Sequence, residues 1–131
     1  MVDFDVVILG ATGFTGKWVA REFNRHAASY KWAICGRNGE KLKSLRDGEG
    51  FDCEILIADA ENPATLDDVS SSCRLLVNCT GPYRILGEPV FKSCVKNGTD
   101  YLDLCGEPEF IEGMEMKVKL SHIIILLINP A

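Results

Sequence analysis

One stretch near the amino terminus restricts the fold more than any other: Asp5-Val6-Val7-Ile8-Leu9-Gly10-Ala11-Thr12-Gly13-Phe14-Thr15-Gly16. Val6 to Leu9 is aliphatic at every position, which suits a parallel strand covered on both faces, where alternation is not required. Gly10 permits a sharp turn off the strand end, because no Cβ restricts its dihedrals. Gly13 would let backbone N–H groups approach a phosphate, and Gly16 would let the following helix pack close to the sheet. The helix terminus adds unpaired N–H donors and a partial positive charge. The stretch therefore predicts a pyrophosphate site made from Gly10, Ala11, Thr12, Gly13, Phe14, Thr15 and Gly16. The spacing is G-x-x-G-x-x-G rather than G-x-G-x-x-G, so the argument rests on mechanism rather than pattern. A Walker motif is absent, since Trp18 follows Lys17 where Ser or Thr would stand.

The rest of the chain repeats the strand–helix rhythm. Val19, Ala20, Phe23 and Ala27 fall at helical spacing and predict about three turns, fading near Ala28-Ser29. Trp32 to Cys35 reads as a second strand ending at Gly36-Arg37, and Asn38 as the cap of a short helix carrying Leu42 and Leu45. Cys53 to Ala58 is a third strand. Asn62-Pro63 predicts a capped helix with Leu66 and Val69 inward. Leu75 to Cys79 is a fourth strand, broken by Thr80-Gly81-Pro82-Tyr83; Pro89 opens a helix that Asn97-Gly98 closes. Tyr101 to Leu104 is a weaker fifth strand. Pro108 opens a helix through Phe110, Ile111 and Met114, and Ile123 to Ile128 is a sixth strand, far short of the roughly 20 apolar residues of a membrane span. Alternating strands and helices imply right-handed crossovers and one doubly wound parallel sheet, an α/β Rossmann fold of six strands in the order 3-2-1-4-5-6.

The whole chain, residues 1–131, is one dinucleotide-binding domain by length. Its net charge of −5 and scattered basic residues argue against a nucleic-acid partner. Asp3 and Asp5 stand where a secretory signal would be basic, so an intracellular protein is expected. The six cysteines form no C-x-x-C pair and several sit in apolar runs, which predicts reduced core thiols rather than a disulfide framework. With two histidines far apart, no metal site is expected.

The cofactor can be read further. An Asp or Glu ending the second strand would bond a ribose 2′-OH, whereas an arginine there favours a 2′-phosphate. Here the strand ends Cys35-Gly36-Arg37, which predicts NADP(H) in preference to NAD(H), set against Arg37 as a solvated surface cation. Asp59 ends the third strand, as an adenine-edge contact or as a turn-capping residue. Thr80, Gly81 and Pro82 leave the fourth strand beside the first, at the switch point where the nicotinamide half would lie. No Tyr-x-x-x-Lys pair occurs. Tyr83 could donate a proton or be structural; Cys79, Cys105, Asp103 and Glu107 are no better marked, and the catalytic residue is not identified.

Taken together, Val7 to Gly16, Ala33-Ile34-Cys35-Gly36-Arg37, Asn78-Cys79-Thr80-Gly81-Pro82-Tyr83 and Tyr101-Leu102-Asp103-Leu104-Cys105-Gly106-Glu107 resemble the saccharopine dehydrogenase-like oxidoreductases, from the amino terminus to about Lys117. The resemblance implies a Rossmann nucleotide domain and an NAD(P)-dependent oxidoreductase activity on an ill-defined substrate. It also implies association of animal relatives with membranes and lipid droplets, and a second α/β domain that binds substrate and often dimerises. Val118 to Ala131 departs from the family's continuation, so a truncated or alternatively spliced form, or a shortened gene model, lacking the substrate domain is expected, its tail either completing the sixth strand or forming a non-native end. Three readings follow: the NADP(H)-binding part of such an oxidoreductase, a non-catalytic nucleotide-binding or interaction module, or a poorly stable truncation product without function.

Overall fold

The structure, a computed structural model, describes residues 2–105 together with 112 and 113. Five strands form one sheet: β1 (Phe4–Leu9), β2 (Trp32–Gly36), β3 (Glu54–Ile57), β4 (Cys73–Asn78) and β5 (Asp100–Asp103). They lie in the order β3-β2-β1-β4-β5, and every neighbouring pair is parallel. Four helices alternate with them: α1 (Phe14–Asn24), α2 (Gly39–Glu49), α3 (Pro63–Ser70) and α4 (Tyr83–Asn97). This is the expected doubly wound architecture through its fifth strand. The expected sixth strand, Ile123 to Ile128, and the helix from Pro108 lie outside the described residues.

Alternation along the central strand explains why both faces are covered. Val7 and Leu9 join a core with Leu66, Val69, Val90 and Phe91 from α3 and α4. Val6 and Ile8 join a second core with Ala20 of α1 and Leu42 and Leu45 of α2. In the second core Trp32 meets Phe23 edge-on at 5.0 Å and Phe51 at 5.5 Å between centroids, arrangements favoured by the ring quadrupoles. All six cysteines are free thiols, and Cys35, Cys73, Cys94 and Cys105 are buried.

Three local expectations are corrected. Helix α4 begins at Tyr83 rather than at Pro89, which sits inside it. The N–H groups of Ile85 and Leu86 bond the Pro82 carbonyl and start the helix a turn and a half early. The bond that Pro89 cannot donate would have gone to the carbonyl of Ile85, an exposed residue, which limits the cost of a proline there. Asn62 does not cap α3 with its side chain. Thr65 folds back instead, its Oγ1 receiving the Asp59 N–H at 3.0 Å and donating to the Asn62 carbonyl at 2.7 Å. Helix α1 ends at Asn24, short of Ala28. Asn38 does cap α2: its Oδ1 accepts from the N–H groups of Glu40 and Lys41, each at 3.1 Å.

Candidate functional site

The carboxyl ends of the strands open onto a groove of about 310 Å³. It runs from Gly36, Arg37, Asp59 and Glu61 on the β2–β3 side, across Gly10, Thr12 and Gly13, to Cys79, Thr80 and Gly81 after β4. The site therefore straddles β1 and β4, the neighbours whose connections leave in opposite directions, where ligands of open α/β sheets bind.

Its floor is the glycine turn. Gly10 has φ +80°, and a Cβ there would stand 3.0 Å from both the Cys79 carbonyl carbon and Thr80 Cγ2. The turn is pinned to the sheet by the N–H groups of Gly10 and Ala11, which donate to the Cys35 carbonyl at 2.9 and 3.3 Å. Gly16 is the tightest position: an added Cβ would fall 2.0 Å from the Gly10 carbonyl oxygen. Helix α1 can approach this closely only because residue 16 is glycine. The N-cap Gly13 has no side chain to occupy the helix terminus, and the first turn of α1 carries no acid. The first-turn N–H groups thus remain available to an anion. Ala11 and Gly16 lie buried behind the turn, while Phe14 and Thr15 are exposed on its outer side.

Arg37 leaves the end of β2 exposed, and among the described residues it enters no ion pair. Lys41, in the first turn of α2, lines the same surface and is likewise unpaired there. Sequence reading missed it; its signal was a cation four residues past Arg37, just inside the helix that Asn38 caps. Asp59 stands on the groove wall and closes a turn there. It lines the groove, and its Oδ1 accepts the Glu61 N–H at 2.9 Å in a tight turn. Pro82 follows a cis Gly81–Pro82 bond and N-caps α4.

The β4–β5 end is built differently, from buried side chains. Asn78, Tyr101 and Asp103 are all fully buried and are joined in series with Thr80. Thr80 bonds Asn78 Oδ1 through its N–H at 3.0 Å and through its hydroxyl. Asn78 Nδ2 meets Tyr101 Oη at 3.1 Å, and Tyr101 Oη meets Asp103 Oδ2 at 2.6 Å. Asp103 Oδ1 accepts the Cys105 N–H at 2.9 Å. Burial first, then the nearby Asp103, pushes the Tyr101 phenol far above its ordinary range. Asn78 and Tyr101 were not recognised as site residues from the sequence.

Tyr83 donates its hydroxyl proton to the Asn78 carbonyl at 2.8 Å and receives the Leu104 N–H at 3.4 Å. Burial pushes its phenol up as well. It is held as a strut between β4 and the end of β5, the structural alternative of the two expected for it. Cys79 is pushed up to about 12, by burial first and by Asp103 second, so it carries no thiolate near neutrality. Glu107 lies outside the described residues. Among the described residues no cluster of His, Cys, Asp or Glu could hold a metal ion, and no helix is long and apolar enough to cross a membrane.

The comparisons with known proteins point the same way as the groove. The chain is 40% identical over 129 residues to the saccharopine dehydrogenase-like oxidoreductase of Mus musculus, a match covering 87% of this chain and 30% of that protein. It thus spans about a third of the length of this relative. Among solved structures, the apo saccharopine dehydrogenase (L-Glu forming) of Saccharomyces cerevisiae superposes with a TM-score of 0.72 at 20% identity, over 93% of this chain and 26% of that one. The triphenylmethane reductase of Citrobacter sp. complexed with NADP(H) superposes with a TM-score of 0.66 at 20% identity, over 76% of this chain and 37% of that one. The model of the saccharopine dehydrogenase NADP binding domain matches residues 6–120, nearly the whole sheet and its helices, and the chain belongs to that family.

Proposed function

We propose that this chain binds NADP(H) across the groove and serves as the cofactor-holding part of an oxidoreductase. The observation that carries the reading is the closed glycine turn, in which Gly16 leaves no space for a Cβ and the N-terminus of α1 stays uncapped and acid-free. The pyrophosphate would sit on that terminus, with Arg37 and Lys41 beside the adenosine 2′-phosphate and Thr80 toward the nicotinamide half. When bound, the cofactor supplies the hydride. The chain's own residues hold and orient it: Gly10 and Gly13 give close approach, and Arg37 offers a planar fork of donors to a phosphate.

Neither Tyr83 nor Cys79 is disposed to act as an acid or nucleophile at this groove, since the first has its proton on the Asn78 carbonyl and the second is held neutral by burial. A thermal-shift titration with NADPH and NADH side by side tests the reading. A ligand that binds only the folded chain stabilises it by about 2.7 kcal/mol at a hundredfold excess over its Kd. The expected result is a larger rise in Tm with NADPH than with NADH; a cooperative melt unmoved by either would exclude the cofactor role.

A further inference from the structure

The hydrogen positions in the chain of side chains behind Thr80 follow one from another, starting at a backbone donor. The Thr80 N–H can only donate, so the Asn78 atom it meets at 3.0 Å is the carbonyl oxygen Oδ1, which sets the orientation of the amide. An amide oxygen can only accept, so the Thr80 hydroxyl in contact with the same Oδ1 donates its one proton there. Asn78 Nδ2 in turn donates to Tyr101 Oη, which leaves the phenol's own proton for Asp103 Oδ2 at 2.6 Å. Every proton in the series points inward, from the groove toward a carboxylic side chain with no exposure to solvent. Thr80 lines the groove with both of its donors committed behind it.

We infer that Asn78, Tyr101 and Asp103 form a positioning relay that makes Thr80 an obligate hydrogen-bond acceptor at the nicotinamide end of the groove. Its complement is a donor on the cofactor's nicotinamide half, either the carboxamide N–H or a ribose hydroxyl. The inference rests on the cofactor reading given above and adds a direction to one of its contacts. The relay spans two strands: Asn78 and Asp103 are register partners on β4 and β5, and Tyr101 packs edge-on against Phe91 of α4 at 5.2 Å. A hydroxyl left free to rotate would serve donors and acceptors alike. One whose proton is held by a buried series discriminates between them.

The test is a calorimetric titration of this chain and its variants with NADPH and with the reduced 3-acetylpyridine analogue, which keeps the carbonyl and lacks the N–H. Thr80→Val should weaken NADPH about fivefold, the worth of one neutral hydrogen bond, and Thr80→Ser should restore it. A loss seen with NADPH alone identifies the carboxamide as the donor; an equal loss with both ligands identifies a ribose hydroxyl. Unchanged affinity for both in a Thr80→Val variant that melts normally would overturn the inference while leaving the cofactor reading intact. No binding by the unaltered chain would overturn both.

The relay itself is read from a double-mutant cycle. Tyr101→Phe keeps the ring and removes the phenol, and Thr80→Val should then cost less on that background than on the unaltered chain. Where Tyr101→Phe does not melt cooperatively, Asn78→Ala serves as the second background. Strictly additive losses would show that Thr80 acts without the relay.

Discussion

The two ends of the groove are built in opposite ways. At the β1–β2 end the groove surface is backbone: Gly10, Gly13 and Gly16 leave side chains out, and the first turn of α1 stays uncapped and acid-free. At the β4–β5 end the surface is set by Thr80, and what orients Thr80 is a buried series of side chains reaching Asp103. The first end tolerates no added atom at Gly16 and little at Gly10. The second tolerates no lost proton. They meet at one contact, where a Cβ on Gly10 would strike Thr80 Cγ2 and the Cys79 backbone. A backbone site suits an anion that needs several N–H donors at once, whereas a side-chain relay can impose a direction on a single hydrogen bond.

The comparison is broken most severely by Gly16→Ala. The new methyl would lie 2.0 Å from the Gly10 carbonyl oxygen and 2.8 Å from Ala11 Cα, both backbone atoms of the turn itself. Helix α1 must then move away from β1, at a cost of about 3 kcal/mol or more, since overpacking against backbone has little room to relax. Thermal denaturation should show a large fall in Tm together with loss of the NADPH-induced shift. Gly48→Ala is the matched control. It lies in the last turn of α2 with nothing within 4 Å of its Cβ, and should raise stability by up to about 1 kcal/mol through helix propensity. Equal Tm values for the two variants would remove the steric account of the turn.

The same contrast explains how much could be read from the sequence. The glycine turn is contiguous, so its strand, turn and helix announce themselves within 12 residues, and Arg37 follows from its place at a strand end. The relay is assembled across strands. Asn78 and Tyr101 are 23 positions apart and look like an ordinary strand polar residue and an ordinary core aromatic until β4 and β5 are set in register. No local pattern marks such a pair. The start of α4 was missed for a related reason. Pro89 carries a strong helix-opening signal, whereas the signal that prevailed, Pro82 as N-cap after the bend at Gly81, depends on the chain leaving β4 beside β1. Asn62 and Asn38 precede similar helices, yet only Asn38 caps with its side chain; at Asn62 the Thr65 N–H that such a cap would take bonds the Asn62 carbonyl at 3.1 Å.

A smaller effect, confined to the backbone-built end, is expected from Arg37→Ala. Arg37 is exposed and unpaired among the described residues, so its removal costs the fold little. A charge-assisted hydrogen bond to a 2′-phosphate contributes about 1.5–3 kcal/mol, so NADPH affinity should fall roughly ten- to hundredfold. NADH, with a hydroxyl in that place, should be nearly unaffected. Calorimetric titration with both nucleotides measures the ratio. Parallel losses would mean that Arg37 does not read the phosphate, and would move attention to Lys41, which lines the same surface.

The gentlest probe is alkaline pH, which titrates buried thiols across the sheet, Cys79 at the side-chain end among them. Burial raises the Cys79 thiol from an ordinary 9.0 to about 12. The folded chain therefore holds this proton more tightly than the unfolded chain does. Its contribution to stability is fully present below pH 9 and is lost as pH rises from 9 toward 12. Cys35 and Cys73, also raised to about 12 chiefly by burial, add losses of the same sign. Each thiol costs about 1 kcal/mol per pH unit within that window. Tm should thus be level from pH 7 to 8.5 and fall progressively above 9, and Cys79→Ala should fall less steeply than the unaltered chain. Cys79 also links the two ends, its N–H donating to the Leu9 carbonyl at 2.8 Å immediately before the glycine turn. An alkaline loss that Cys79→Ala left unchanged would assign the pH dependence to the deeper thiols and separate the joint between β1 and β4 from it.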